Sequence, residues 1–115
     1  MSTVKLGDVF DYDFGPQRDN RQEGMRPAVV VQTNLLNQVD GYSLTIVVPL
    51  SRTGRPSPSH VRIEPSAANG LTDVSFAKCE QIYTVSRKGL RQRRGELSPG
   101  DLYAVKEALR VVLEL

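Results

Sequence analysis

The chain has 115 residues, enough for one domain, and its 15 basic and 13 acidic side chains leave a formal net charge of +2. A single cysteine rules out a disulfide within the chain, and a single histidine beside it rules out a His/Cys metal cluster. The longest apolar runs, residues 28–31 and 46–50, are too short to cross a bilayer, and the N-terminus lacks a signal-peptide pattern. We therefore expect one cytoplasmic domain over residues 1–115, with no membrane segment, no metal and no cofactor.

Short runs of β-branched and aromatic residues, separated by turn residues, predict a succession of strands. Residues 8–14 alternate in polarity, which predicts a half-buried strand with Phe10, Tyr12 and Phe14 on one face. The polar residues 17–26 predict a loop.

Pro27 begins the next apolar run. Residues 28–32 predict a strand buried on both faces, and proline is tolerated at its first position because that residue need not donate to the ladder. Further strands are expected after the Asp40-Gly41 turn and around a loop over 51–59, at residues 43–50, 60–64, 74–79 and 81–85. Many short strands with irregular loops predict a small, mainly β barrel.

One helix is expected at the C-terminal end. Ser98 is a good N-cap, Pro99 suits the first helical position, and Asp101 completes a capping-box-like pattern. Apolar residues then repeat at helical spacing, at Leu102, Val105, Leu109, Val112 and Leu113. This stripe packs either on the barrel or on a partner subunit.

Eleven of the fifteen basic residues are arginine, and most lie in three arginine-bearing loops. The planar guanidinium fork suits phosphate oxygens better than the lysine ammonium does. A solvated loop explains any one cluster, but three clusters in one small domain favour a polyanionic partner. The clusters are Arg18 with Arg21, Arg52 with Arg55, and the basic residues between 87 and 94.

The remaining reactive groups are guanidinium, carboxylate, hydroxyl and amide, because no phosphate-binding glycine loop or Ser/His/Asp triad can be assigned. His60 is expected to have a structural role. Such groups can still cleave RNA, since the ribose 2′-hydroxyl is a nucleophile beside the scissile phosphate. The protein then needs a base, an acid and cations that stabilise the phosphorane.

Several sequence blocks point to one family. The strongest is "G-x-R-P" followed by an apolar run, over residues 24–32. The others are residues 7–9, 13–16, 47–51, the "C-[DE]-Q-x-x-T" pattern at 79–85, and 94–99. In order and spacing, from about residue 6 to the C-terminus, they resemble the MazF/PemK family of type II toxin–antitoxin toxins.

The resemblance implies an α+β fold, a small SH3-like (CcdB/PemK-type) β-barrel with a C-terminal helix, in a homodimer. It also implies a metal-independent endoribonuclease that cleaves single-stranded RNA at short motifs and so inhibits translation. The expected products carry a 2′,3′-cyclic phosphate and a 5′-hydroxyl. A cognate antitoxin, a MazE-like peptide, would block the RNA groove.

Residue by residue, the resemblance suggests four functional positions. Arg26 matches the family's catalytic arginine, and Ser51 stands where many members have a catalytic threonine. Glu80 matches an acidic residue that some members use as the base, with Lys78 in place of an arginine. Strand alternation would put Lys78 and Glu80 on one face with Cys79 opposite. A salt bridge between Lys78 and Glu80 is the structural alternative.

The loop before Arg26 departs from the family pattern. The family pattern has a glutamate directly before Gln22, but this chain has Arg21 there. Its glutamate, Glu23, comes directly after Gln22. Either Glu23 or Glu80 then supplies the base, or catalysis is weak. Gln81 and Thr84 either read bases or satisfy the strand edge. The residues expected to contact RNA are Gln22, Arg21, Arg52, Lys78, Gln81 and Thr84.

Two other functions compete with this one. A CcdB-like gyrase poison would share the barrel, but that activity depends on a C-terminal tail containing tryptophan, and this chain has no tryptophan and ends Val112-Leu113-Glu114-Leu115. A catalytically silent RNA- or peptide-binding barrel would bind RNA in a salt-dependent way and release no cyclic-phosphate product.

Overall fold

A computed structural model describes residues 3–115, and this part of the chain contains seven strands and two α-helices. In chain order they are β1 (Asp8–Asp13), β2 (Met25–Val30), α1 (Asn34–Asn37), β3 (Leu44–Ser51), β4 (His60–Ile63), β5 (Ser75–Lys78), β6 (Tyr83–Ser86), β7 (Arg93–Glu96) and α2 (Pro99–Leu113). A short 3₁₀ turn, Arg87–Gly89, separates β6 from β7. Across this same region, no helix has the length and apolar character that a bilayer span requires.

The strands form an antiparallel sheet in the order β4-β5-β3-β2-β1-β7, with β6 paired to β3 beside this path. The first half of β3 pairs with β6, and its last two residues pair with β5. Because β3 changes partner along its length, the sheet curves into a half-barrel with α2 packed against it. The expected α+β class, a small mainly β barrel with a C-terminal helix, is confirmed.

The sheet has a hydrophobic core on each face. One core includes Val29 and Val48 and packs against Val105 of α2. The other includes Phe14 and Val47, with further apolar side chains from the neighbouring strands. Strand β1 contributes to both cores, so the prediction of a half-buried strand is wrong: only its last residue is exposed.

Strand β2 begins earlier than predicted and ends earlier, at Val30 rather than Gln32. Pro27 therefore lies inside the strand, opposite Asp11 of β1. The Phe14 N–H donates to Gly24 O (2.9 Å), which makes the Asp11–Pro27 pair a non-hydrogen-bonded one, so the proline nitrogen faces away from β1. The ladder to β3 begins only at the next residue, Ala28, because the nitrogen of Pro27 faces β3 without an N–H to donate.

Helix α1 was not predicted from the sequence, and a buried polar network supports it. Asn37 accepts hydrogen bonds from Gln32 Nε2 (2.8 Å) and Thr45 Oγ1 (2.9 Å), and its Nδ2 donates to Gln32 O (2.8 Å). All three side chains are buried. Gln32, expected at the end of a strand, instead holds this helix against β3.

Helix α2 begins as predicted. The Ser98 hydroxyl accepts the Asp101 N–H (3.1 Å), and Pro99 occupies the first turn. Val105 and Ala108 are buried against the sheet. Leu113, expected in the buried stripe, is 52 % exposed, so only the first part of the stripe packs on the barrel.

The last arginine cluster was expected to lie in a loop, but residues 93–96 form β7. β7 pairs with β1 through a register shift between Val9 and Phe10. Arg93 Nη2 lies 3.0 Å from Oδ1 of the buried Asp8, and this ion pair fixes the new edge strand. The other predicted strands lie within two residues of their observed bounds.

Candidate active site

The strand register brings Arg26 and Ser51 onto one face of the sheet. Ala28 of β2 pairs with Pro49 of β3. Arg26 lies two residues before Ala28, and Ser51 lies two residues after Pro49, which is the same direction in an antiparallel pair. Their side chains therefore lie on the same face of the sheet as those of Ala28 and Pro49. Ser51 is opposite Phe76 in the next strand, β5.

The same face continues across β5 and β4. Lys78 lies two residues after Phe76, and it pairs with His60 of β4. We call this surface, made by Arg26, Ser51, Lys78 and His60, the polar face. Three of its four members were predicted as site residues, and β-sheet pairing brings them together from distant parts of the sequence.

Arg26 is half-buried and free of any carboxylate partner within residues 3–115. Its Nη1 donates to Met25 O (3.2 Å). Arg26 also lines two surface cavities, one of about 260 Å³ shared with Arg52 and one of about 460 Å³ shared with Glu23. An unpaired cation in this position can neutralise an anionic ligand.

Ser51 is buried, and its hydroxyl is engaged with the following turn. It accepts the Thr53 N–H (3.2 Å) and lies 3.0 Å from Thr53 Oγ1. The hydroxyl therefore holds the start of the loop after β3 against the end of the strand. Arg52 next to it is exposed, and its Nη1 lies 3.7 Å from Asp73 Oδ2.

Glu80 pairs with a histidine, not with Lys78. The strand ends at Lys78 and the chain turns, with the Gln81 N–H donating to Lys78 O (2.9 Å), so strand alternation does not extend to Glu80. Glu80 Oε2 lies 3.0 Å from His60 Nε2. The predicted Lys78–Glu80 salt bridge is not found among residues 3–115, while the Glu80 carboxylate still reaches the face of Lys78 through His60, the strand partner of Lys78.

The contact between His60 and Glu80 sets the electrostatics at this end of the polar face. Burial alone would raise the pKa of Glu80, but hydrogen bonds from His60 and from the glutamate's own backbone more than offset it, so the pKa lies below its ordinary value. The His60 side chain is only 17 % exposed. The sequence did not assign His60 a site role, because its partner lies twenty residues away across a turn.

The Gln81 side chain fastens the loop that precedes Arg26. Its Oε1 accepts the Gln22 N–H (2.6 Å) and the Tyr83 hydroxyl (3.2 Å), while its Nε2 donates to Asn20 O (3.1 Å). The amide thus replaces a strand partner for the loop, in line with the edge-satisfying alternative.

Other predicted RNA contacts are distributed less compactly. Arg21 is exposed and pairs with Asp19 (2.9 Å), which lowers the pKa of that carboxyl, and it lines a cavity with Glu80 and Gln81. Thr84 lies opposite Ile46 in β6, on the other face of the sheet from Ser51.

Glu23 and Gln22 have contrasting surroundings. Glu23 Oε2 accepts the Gln17 N–H (3.0 Å), so it helps to shape the loop beside Arg26. Gln22 Oε1 is buried and makes no hydrogen bond to any residue from 3 to 115. Over the same residues, no three His, Cys, Asp or Glu side chains converge as metal ligands do.

Known proteins match this chain over nearly its whole length, in sequence and in fold. The family model described as PemK-like, MazF-like toxin of type II toxin–antitoxin system matches residues 5–113. Among solved structures, an endoribonuclease in complex with its cognate antitoxin from a mycobacterial species is 25 % identical, with a TM-score of 0.81, covering 97 % of this chain and 96 % of that chain.

Two further structures are similar over their whole length. A second mycobacterial endoribonuclease is 23 % identical, with a TM-score of 0.80, covering 100 % of this chain and 95 % of that chain. MazF from Deinococcus radiodurans is 22 % identical, with a TM-score of 0.79 and complete coverage of both chains. With a family match across all but the ends and the same half-barrel throughout, this chain belongs to the PemK-like, MazF-like toxins of type II toxin–antitoxin systems.

Proposed function

We propose that this chain is an endoribonuclease that cleaves single-stranded RNA without a metal ion, leaving a 2′,3′-cyclic phosphate and a 5′-hydroxyl. The observation that carries the proposal is Arg26, a half-buried guanidinium without a carboxylate partner on the polar face. Similar solved proteins are themselves endoribonucleases.

The chemistry follows from what the substrate brings. The 2′-hydroxyl attacks the adjacent phosphorus, so no metal-activated water is needed. Charge builds on the phosphorane oxygens, and the unpaired guanidinium of Arg26 stabilises it, with Lys78 adding positive charge to the same face. The Ser51 hydroxyl, bonded to Thr53, holds the neighbouring loop in shape.

Glu23 is our candidate for the general base. It lines a cavity of about 460 Å³ together with Arg26, so one substrate phosphate can be reached by both. Glu80 is bound to His60, and a pKa below the ordinary value makes its carboxylate a poorer proton acceptor. Substitution of Glu23 by glutamine should therefore lower the cleavage rate more than the same substitution of Glu80.

The toxin is proposed to act in the cytoplasm, as a homodimer that a cognate antitoxin peptide inhibits. One similar structure is a complex with its own antitoxin. Arginines on several loops of this chain would favour an acidic inhibitor that folds as it binds.

The direct test is to incubate the purified protein with a long single-stranded RNA in EDTA and to map both ends of each cut. We expect cyclic-phosphate and 5′-hydroxyl ends, and no cut where the scissile ribose is 2′-deoxy. Arg26→Ala should lower the rate by roughly 10²–10³-fold, the usual effect of losing one transition-state donor. Arg110→Ala, which removes a surface arginine of α2, is the matched control.

Cleavage of the 2′-deoxy substrate, or a strict need for a divalent ion, would refute the proposed chemistry. Salt-dependent RNA binding without any cyclic-phosphate product would favour the silent binding barrel instead. Trapping of gyrase on DNA would favour the gyrase-poison alternative.

A further inference from the structure

Arg94 is held in place by two hydrogen bonds, and within residues 3–115 part of its guanidinium remains free to bind another group. Its Nε donates to Asp11 Oδ1 (2.6 Å) and its Nη1 donates to Gly70 O (3.2 Å). Its Nη2 makes no hydrogen bond to the residues that the structure describes, and the side chain is 30 % exposed. A fixed guanidinium with unused N–H groups is pre-organised to bind an anion.

Arg94 also lines the cavity of about 260 Å³ that Arg26 and Arg52 line. Of the three arginines that line it, Arg94 is paired with Asp11 and Arg52 lies near Asp73, so Arg26 is the one without a carboxylate partner among residues 3–115. The Arg52–Asp73 contact is long (3.7 Å) and both side chains are more than half exposed, so solvent screens it strongly. The cavity therefore keeps a positive charge that an anion can neutralise.

Hydroxyl groups complete the lining of this cavity. Thr72 Oγ1 donates to Asp73 Oδ2 (3.1 Å) and Ser75 Oγ donates to Asp73 O (3.1 Å). Both hydroxyl protons are thus used on Asp73, so the guanidinium groups are the donors left for an anion in this cavity. Arginine guanidinium forks are common ligands of a phosphate.

We infer that this cavity is a second phosphate site, which binds a backbone phosphate of the RNA next to the scissile one. Arg26 lies between the two sites because it lines both its own catalytic cavity and this one. Arg94 and Arg52 are the binding residues. The inference rests on the proposed function and adds to it a residue, Arg94, outside the predicted site.

The competing explanation is that Arg94 only fastens the turn near Gly70 to β1. Arg94→Lys retains the charge near Asp11 but loses both the bond to Gly70 O and the free N–H donors, so its RNA binding is read together with its thermal stability. Arg52→Ala gives an independent measure, since Arg52 is exposed and its removal leaves the packing intact. Thermal melting of each variant checks that the fold is retained.

The test uses short single-stranded RNAs that carry the mapped cleavage site, each with one neutral methylphosphonate linkage at a different position. Binding is measured by fluorescence anisotropy and cleavage under single-turnover conditions. On natural RNA, Arg94→Lys and Arg52→Ala should each weaken binding about tenfold, as loss of a charged hydrogen bond does, with little change in the maximal cleavage rate. For Arg52→Ala, which removes a charge, the salt dependence of binding should fall by a slope of roughly 0.7, and for Arg94→Lys, which keeps the charge, the slope should stay the same.

The neutral linkages locate the site. One methylphosphonate adjacent to the scissile phosphate should weaken binding to the unmodified protein, and Arg94→Lys and Arg52→Ala should add no further loss on that RNA. Equal losses on every modified RNA, or no loss in either variant, would overturn the second phosphate site. If the protein binds RNA but does not cut it, the proposed function fails, while the binding losses of Arg94→Lys and Arg52→Ala on natural RNA still decide whether this cavity binds a backbone phosphate. Absence of RNA binding overturns both.

Discussion

Cys79 shows how burial controls the chemistry of one residue. It is fully buried, and its Sγ lies 3.7 Å from Ala77 O and 3.9 Å from Val105 O. Burial, with a smaller effect from the charge of Glu80, raises the pKa of the thiol to about 12. We predict that a disulfide reagent at neutral pH labels Cys79 very slowly in the folded protein and rapidly in denaturant. Rapid labelling of the native protein would contradict this burial.

The pH dependence of stability should carry the signature of Glu80. Its pKa is lower in the folded state than in the unfolded chain, so it stabilises the fold above the unfolded value, and this contribution is lost as the pH falls through the folded value. At 40 % exposure the gain should be at most about 1 kcal/mol.

Urea unfolding of the unmodified protein and of Glu80→Gln, between about pH 3 and about pH 6, measures this contribution. The difference in unfolding free energy should shrink toward zero at the acid end. Glu64→Gln controls for loss of a surface carboxylate. A difference that grows as the pH falls would show that the His60 contact does not stabilise the charged carboxylate.

Individual site residues could be predicted from sequence only where a motif fixed their place. Arg26 lies two residues after Gly24 and directly before Pro27 and an apolar run, so its position at a strand start was visible in one short segment. The pairing of His60 with Glu80 was not, because it depends on where β5 ends and on the turn after Lys78. The binding role that we infer for Arg94 likewise depends on tertiary contacts with Asp11 and Gly70.

At the scale of elements, the Gln81 side chain joins the loop over residues 17–26 to the sheet through its hydrogen bonds to the Gln22 N–H and to Asn20 O, a contact that we call the Gln81 clamp. We predict that Gln81→Ala speeds hydrogen exchange at the Gln22 amide about tenfold, because that N–H loses its acceptor. Gln81→Glu, which keeps the acceptor but not the donor to Asn20, should have a smaller effect. Gln92→Ala, an exposed glutamine elsewhere, is the control, and unchanged exchange in Gln81→Ala would mean that the clamp does not hold the loop.

Sequence patterns predicted most elements, and the exceptions have physical causes. β7 has the sequence Arg-Arg-Gly-Glu, with no apolar alternation, and it forms a strand because Arg93 pairs with the buried Asp8. α1 has only four residues, too few to show a helical period, and is held by Asn37 and its buried partners. The predicted start of β2 was too late because Pro27 was taken as the beginning of the strand. The sequence does not show that the strand continues past a proline to Met25.

On the scale of the whole molecule, the sheet edge at β7 is covered by the turn around residues 66–70. The Glu96 N–H donates to Ala68 O (2.9 Å), and a Cβ at Gly95 would collide with that same carbonyl oxygen. We predict that Gly95→Ala lowers the free energy of unfolding by about 1–3 kcal/mol. Gly100→Ala, at a helix position with open space, should have no such cost. Urea unfolding compares them, and equal stabilities would show that the turn does not pack closely on β7.

Strand β3 is hydrogen-bonded to β2, β5 and β6, and it supplies side chains to the cores on both faces of the sheet. Neither half of the barrel can separate from the other without breaking this shared strand. Partial opening that exposes one core while sparing the other is therefore unfavourable, and the domain should lose its structure in one all-or-none transition. Any drug or peptide that pulls β3 from its neighbours would therefore unfold the whole domain.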